Sequence, residues 1–357
     1  MSDLRYDPIF GQWTCIAEQR QTRPFEFQQF TQRRAGIDCP FCRGNEAVTP
    51  GSLMEWSSPT DPPSATLPDD RDWLVRVLPN KYPAFDHTLI VDRGGVDSGA
   101  PNGSARPIEL TTHLQEVVVL SPRHVASLSG LGDEELFTSF QAFQHRVAFH
   151  SQRSEINHVC LFMNCRPLAG ASIEHSHFQL IASPVCTDQV TDRFARMHQM
   201  TDGRSAWQTL LNWEREQQTR IIQDSDLFQV FCPYASCFSN QIRIAPKPGT
   251  DSDQAFHHLD SATVHELATL CRFWVDGMER CLDDPAYNLI FHLPPTSALK
   301  ATADGNPEVA PTWFVDLVPR FPQAAGFELA TDCWVNPVSP ESAADQYRRF
   351  MPATASD

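Results

Sequence analysis

The run Gly170-Ala171-Ser172-Ile173-Glu174-His175-Ser176-His177-Phe178-Gln179 sets two imidazoles and an amide at alternate positions. Residues two apart on an extended strand share a face, so His175, His177 and Gln179 line up on one side. That spacing separates two uses of histidine: one ring is held as a ligand while its neighbour meets a substrate. Gly170 and the small residues after it let the backbone approach a ligand closely, and the Gln179 amide both donates and accepts. Taken alone, a His-x-His is more often a pair of histidines satisfied by ordinary hydrogen bonds. The rest of the chain must therefore decide between the two.

Cys39-Pro40-Phe41-Cys42 is a C-x-x-C without a second pair at zinc-ribbon spacing, so a metal there needs two further ligands. A redox dithiol is the rival, but such motifs open a helix after a strand, whereas Arg43-Gly44-Asn45-Glu46 reads as a turn. The balance favours metal. His124, at the end of the strand-like run 117–124, and His175 are the candidates to complete it. Two thiolates and two imidazoles make a closed tetrahedral zinc site, which is structural and leaves no position for a catalytic water. Such a site would fix the loop that carries His177.

Several further stretches share one order with these motifs. They are Arg5-Tyr6-Asp7-Pro8, Gly11-Gln12-Trp13, Arg20, Arg23-Pro24, 77–85, Ser121-Pro122-Arg123-His124, 164–179, Gly326-Phe327-Glu328 and Asn336-Pro337-Val338-Ser339-Pro340-Glu341. Together they resemble the galactose-1-phosphate uridylyltransferase family over nearly the whole chain. The resemblance implies an α+β, histidine-triad-like fold of two tandem related halves, each with an antiparallel sheet and packed helices. It implies ping-pong transfer of a nucleoside monophosphate through a histidine. By motif position His177 is the nucleophile, Gln179 contacts the transferred phosphoryl group, and Cys39, Cys42, His124 and His175 hold one structural zinc per chain. Asn164, Gly170 and Ser172 match the nucleotide and phosphate site. Arg20 and Arg23 match phosphate-side arginines, Asn80 a nucleoside contact, and Glu328 a sugar contact. A homodimer is implied in the same way.

The residue types suit that chemistry. A neutral imidazole attacking the α-phosphorus of a nucleotide sugar expels a sugar phosphate, a leaving group that needs little protonation. Arginine forks and an amide neutralise the phosphoryl oxygens. Uridylyl transfer from UDP-glucose to a hexose 1-phosphate is the first expectation. Adenylyl transfer from ADP-glucose to phosphate is the alternative, because Ser176 stands where the reference uridylyltransferases have proline and the plant ADP-glucose phosphorylase branch has serine. A second metal site of the family is expected to be absent, since 211–214, 245–250 and 311–314 lack its ligands. A nucleotide-phosphate hydrolase and a zinc-stabilised binding protein are the readings from other classes.

Stepping along the chain, residues 1–190 read as the catalytic half, 191–225 as a helical connector and 226–350 as a degenerate half that supplies sugar-phosphate contacts. In that copy Thr312, Phe314 and Asp316 take the places of His175, His177 and Gln179, so chemistry belongs to the first half. The 357 residues suit two fused units, and 57–70, 96–106 and the tail after Pro352 read as surface loops and a frayed end. The formal charge of −16 makes nucleic-acid backbones poor partners. With no apolar run of the ~18 residues a membrane span needs and no leader-like start, a soluble, cytoplasmic protein is expected. Eleven cysteines, an odd number, then read as reduced thiols.

Overall fold

A computed structural model of the chain describes residues 2–20, 38–65, 72–84, 88–91, 106–109, 114–303, 312–321 and 324–350. Arg23, residues 66–70 and 96–105 of the loops named above, and the tail after Pro352 lie outside the described residues.

The chain opens with a hairpin of β1 (Asp3–Asp7) and β2 (Gln12–Ile16). The first half continues with β3 (Met54–Trp56), β4 (Val75–Pro79), a separate ribbon of β5 (Thr88–Val91) and β6 (Arg106–Glu109), and β7 (Gln115–Val119). Helix α1 (Asp133–Ser151) then leads to β8 (His158–Cys165) and β9 (His177–Ser183). Between the halves lie α2 (Asp188–His198), the short ribbon β10 (Met200–Thr201) and β11 (Arg204–Ser205), and α3 (Ala206–Gln217). The second half runs β12 (Ile221–Asp224), β13 (Phe228–Phe231), β14 (Ile242–Pro246), α4 (Ser261–Cys281), β15 (Tyr287–His292), α5 (Thr296–Ala303) and β16 (Phe314–Pro319). The last elements are α6 (Gly326–Thr331), β17 (Cys333–Asn336), which joins β2, and α7 (Pro340–Phe350).

Ten strands form one sheet in the order β12-β13-β14-β16-β15-β8-β9-β7-β4-β3. Five come from each half, and the halves meet edge to edge where β8 pairs with β15 in antiparallel register. At that seam Phe162 faces Ile290. Phe162 is also the partner of Gln179, and Ile290 the partner of Asp316. The two halves are thus related about the Phe162–Ile290 pair, which is the α+β, two-halved, histidine-triad-like architecture expected.

Alternation along β8 explains how one strand serves both core and site. Val159, Leu161, Met163 and Cys165 are buried against the helices, while Cys160, Phe162 and Asn164 face the other way. The helical layer is α1 and α4. Leu136, Phe140, Phe143 and Val147 recur at helical spacing on α1 and pack on Phe178 and Phe291 of the sheet. The Asp260 carboxylate accepts from Thr263 N at 2.8 Å and caps α4. Among the described residues no helix is long and apolar enough to cross a membrane, and none of the eleven cysteines is in a disulfide.

Candidate active site

The face of the sheet opposite α1 and α4 differs between the halves. In the second half it is closed by Ile9, Phe194, Met197, Trp207 and Leu211, packed on Phe231, Ala245 and Phe314. Trp207 stacks on Phe314 at 5.1 Å. The same face of the first half carries His177, Gln179 and Asn164 instead. His177 is 6 % exposed, and Gln179 and Asn164 are half-buried.

Beside this face the Cys39–Cys42 turn folds back under the start of β9. Cys42 N donates to Cys39 O at 3.2 Å, Asn45 Nδ2 donates to the same carbonyl at 2.7 Å, and Arg43 N donates to Pro122 O at 3.0 Å. Gly44 turns the chain with φ +91°, a conformation that glycine adopts without a Cβ penalty. Phe41, Trp73, Leu78, Val117 and Val119 form the small apolar cluster beneath. The turn brings both sulfurs to His175 and His124: Nδ1 of His175 lies 3.4 Å from Cys39 Sγ and 3.6 Å from Cys42 Sγ, and Nδ1 of His124 lies 3.5 Å from Cys42 Sγ. All four ligand atoms fall within 4.8 Å of one another.

These separations fit a shared metal. A sulfur at ~2.3 Å and a nitrogen at ~2.05 Å from a tetrahedral zinc stand about 3.6 Å apart. His175 Nε2–H donates to Ser121 O at 2.9 Å, which leaves Nδ1 as the lone-pair nitrogen on the thiol side. Burial holds the His175 imidazole down to about 4, so it is the neutral form a metal requires. Burial pushes the Cys42 thiol up to about 11, with neighbouring Cys39 adding to the rise. A bound divalent ion would deprotonate such thiols.

Ser176 ties the next peptide down. Its main-chain N–H and its Oγ–H both donate to the Val125 carbonyl, at 2.6 and 2.7 Å. His177 follows, and its Nδ1 lies 2.6 Å from the His175 carbonyl. A carbonyl only accepts, so Nδ1 carries the hydrogen and Nε2 carries the lone pair. Burial lowers the basicity of this ring, which keeps it neutral at pH 7. Phe41 contacts its edge with centroids 5.2 Å apart.

Gln179 is oriented by Gln115, whose Nε2 donates to Gln179 Oε1 at 3.2 Å, leaving the Gln179 NH2 as a donor. Asn80 enters the same network through the main chain, Asn80 N donating to Gln115 O at 2.9 Å. Gly170 has φ +95° and passes over the Asn164 amide. Ser172 is exposed on the loop just before His175. Arg20 is exposed at the end of a short 3-10 turn, and Glu328 lies on α6, where its carboxylate accepts from Ala325 N at 2.9 Å. Among the described residues neither is joined to the His177 face by a hydrogen bond. Gln115, Asn288 and Arg320 were not singled out from sequence. Asn288 and Arg320 come from the second half: the β8–β15 register sets Asn288 opposite Asn164, and Arg320 reaches Asn288.

Fold and site together define a two-halved, histidine-triad-like protein with one histidine-bearing face. Comparison with known proteins narrows this. No family model matches the chain. It is 30 % identical to an ADP-glucose phosphorylase of Arabidopsis thaliana over 97 % of this chain and 92 % of that one. It is 22 % identical to a galactose-1-phosphate uridylyltransferase of Thermotoga maritima over 98 % of both. The crystal structure of an Arabidopsis thaliana ADP-glucose phosphorylase with bound ADP-glucose superposes with a TM-score of 0.72 at 26 % identity, covering 98 % of this chain and 99 % of that one. The chain belongs to the nucleotidyltransferase family of the galactose-1-phosphate uridylyltransferases and ADP-glucose phosphorylases.

Proposed function

We propose that the protein transfers the adenylyl group of ADP-glucose to inorganic phosphate through a nucleotidyl-histidine at His177. The observation that carries the mechanism is the fixed tautomer of His177: Nδ1–H is engaged by the His175 carbonyl, and Nε2 keeps its lone pair. Nε2 attacks the α-phosphorus, the bond from that phosphorus to the bridging oxygen breaks, and glucose 1-phosphate leaves. The positive charge that develops on the ring is met by the carbonyl at Nδ1. Phosphate then attacks the same phosphorus, giving ADP and freeing Nε2. Gln179 and Asn164 donate to the phosphoryl oxygens, Gly170 and Ser172 line the phosphate, and Asn80 faces the nucleoside. Arg20, Arg23 and Glu328 are assigned to the sugar-phosphate side by motif alone.

Cys39, Cys42, His124 and His175 would hold one zinc. With all four positions filled by protein, it would supply rigidity to the His175 carbonyl rather than an activated water.

The choice of nucleotide rests on the greater identity to ADP-glucose phosphorylase, 30 % against 22 %, and on Ser176. Uridylyl transfer from UDP-glucose to a hexose 1-phosphate is the second reading, supported by the full-length likeness to the Thermotoga maritima uridylyltransferase. The deciding experiment is the intact mass of the protein after brief incubation with ADP-glucose or UDP-glucose, with His177→Ala as control. A gain of one AMP that depends on His177 supports the first reading, and a gain of one UMP supports the second. No adduct with either would overturn the covalent mechanism.

A further inference from the structure

Three polar side chains run across the seam between the halves. Arg320 Nη1 donates to Asn288 Oδ1 at 3.3 Å. Asn288 Nδ2 donates to Asn164 Oδ1 at 2.8 Å and to the Ala169 carbonyl at 2.9 Å. An amide has nearly the same shape in either orientation, so its partners must decide which end is oxygen. They decide it here from both ends. A guanidinium only donates, which turns the Asn288 oxygen to Arg320; a main-chain carbonyl only accepts, which turns the nitrogen to Ala169. With Asn288 Nδ2 facing it, Asn164 must present its own oxygen across the seam. Its NH2 group is thereby turned toward Gly170, where a Cβ would stand 3.4 Å from Nδ2.

Asn164 is next along β8 from Met163, and Met163 pairs with Phe178, so the amide lies alongside His177. We propose that Arg320 and Asn288 are positioning residues that lock the Asn164 amide with its N–H donors aimed at the phosphoryl group His177 attacks. The inference rests on the proposed placement of that phosphoryl group. An amide free to turn would spend part of its time presenting a carbonyl oxygen to an anionic oxygen, replacing an attraction by a repulsion. Asn288 is 8 % exposed, so water does not compete freely for its amide. The degenerate half then contributes to transfer without a reacting group of its own: it fixes the orientation of a donor in the other half.

Asn288→Asp tests this. The aspartate has the same shape and keeps an ionic contact with Arg320, but it only accepts, so Asn164 must turn its NH2 to the seam and its oxygen to the ligand. The readout is the calorimetric affinity of the full chain for AMP and for UMP, with Asn164→Ala, the double variant and thermal midpoints measured alongside. Asn288→Asp is expected to weaken binding about tenfold, equivalent to ~1.4 kcal/mol, and the double variant to bind no more weakly than Asn164→Ala alone. Arg320→Met, which frees one end of the lock, should show a smaller loss that also vanishes in the Asn164→Ala background, and it carries the cycle if Asn288→Asp fails to fold. Affinity unchanged by Asn288→Asp, or a double variant weakened by the product of the single effects, overturns the proposal. Binding does not require transfer, so a protein that binds nucleotide yet forms no adduct on His177 loses only the covalent mechanism. One that binds neither nucleotide loses both.

Discussion

Gln179 and Asp316 occupy one row of the ten-stranded sheet, on either side of the Phe162–Ile290 pair at the seam. They are equivalent residues of the two halves put to opposite uses. Gln179 has its oxygen engaged by Gln115, which leaves its NH2 group as a donor. Asp316 is closed off: Arg243 grips it with two hydrogen bonds of 2.8 and 2.9 Å, and His292 Nε2 lies 3.1 Å from Oδ2, which it shares with Arg243. Phe314, equivalent to His177, is stacked on His292 at 4.4 Å. A site position in one copy has become a core position in the other.

That buried cluster sets an acid limit on stability. Burial holds the His292 imidazole down to about 4 from 6.5. The folded chain therefore keeps His292 neutral where the unfolded chain takes up a proton, and stability falls as pH drops from 6.5 to about 4. At ~1.4 kcal/mol per decade, the loss is about 3 kcal/mol. Burial alone would raise the Asp316 carboxyl, but Arg243 and His292 hold it far below its ordinary value of 3.8. Its contribution is present above that value and is lost only in stronger acid. Denaturant unfolding of wild type and His292→Gln at stepped pH checks this. Other buried histidines, His175 among them, keep part of the decline, so the variant should lose about 3 kcal/mol less than wild type between 6.5 and 4, and parallel curves would reject it.

Removing the proposed zinc should act on the proposed nucleophile without touching it. Cys39→Ser or Cys42→Ser is expected to reduce bound zinc from about one per chain to a small fraction, to lower the thermal midpoint by several degrees and to slow adduct formation on His177. The reason is mechanical: the carbonyl that accepts from His177 Nδ1 belongs to His175. Metal analysis beside the mass assay checks it. Full adduct formation in a zinc-free variant would separate the two sites.

Much of this was legible in the sequence because the informative residues lie close together in the chain or in rigid motifs. The four candidate metal ligands were proposed from a C-x-x-C and two histidines, and the structure brings their ligand atoms within 4.8 Å. The face shared by His177 and Gln179 followed from strand alternation. Asn288 and Arg320 were not legible, because their roles depend on the pairing of β8 with β15, between strands more than a hundred residues apart. An asparagine in an apolar strand carries no local sign of which amide it will meet.

Ser176 invites a substitution that sequence similarity alone would call mild. Proline lacks the N–H and the hydroxyl that both reach the Val125 carbonyl. Ser176→Pro leaves that buried acceptor without either partner and should cost about 1–3 kcal/mol, whereas Ser176→Ala keeps the main-chain bond and should cost about 1 kcal/mol or less. Unfolding midpoints rank the two. Equal stability would mean that the Val125 contact contributes little.

Arg166 offers a reversal of a usual order. It stands one residue beyond the last β8–β15 pair, with φ 73° and ψ 161°, a combination that belongs almost entirely to glycine. The conformation persists because the guanidinium is held from the second half by the Asp284 carbonyl and carboxylate and by Pro285 O at 3.3 Å. Strain of this kind is worth on the order of 1–3 kcal/mol. Arg166→Ala removes the anchor and keeps the strained Cβ; Arg166→Gly removes both. At an ordinary position glycine is the less stable of the two by about 0.5–1 kcal/mol, but here glycine should be the more stable by about 1–2 kcal/mol. Denaturant midpoints of the two variants measure the difference directly, and alanine at or above glycine would show that the backbone relaxes once the Asp284 anchor is gone. In either variant the loop from Pro167 to Gly170 loses one of its ties to the second half and keeps the Asn288–Ala169 bond of 2.9 Å, so the loss should register in nucleotide affinity as well as in stability.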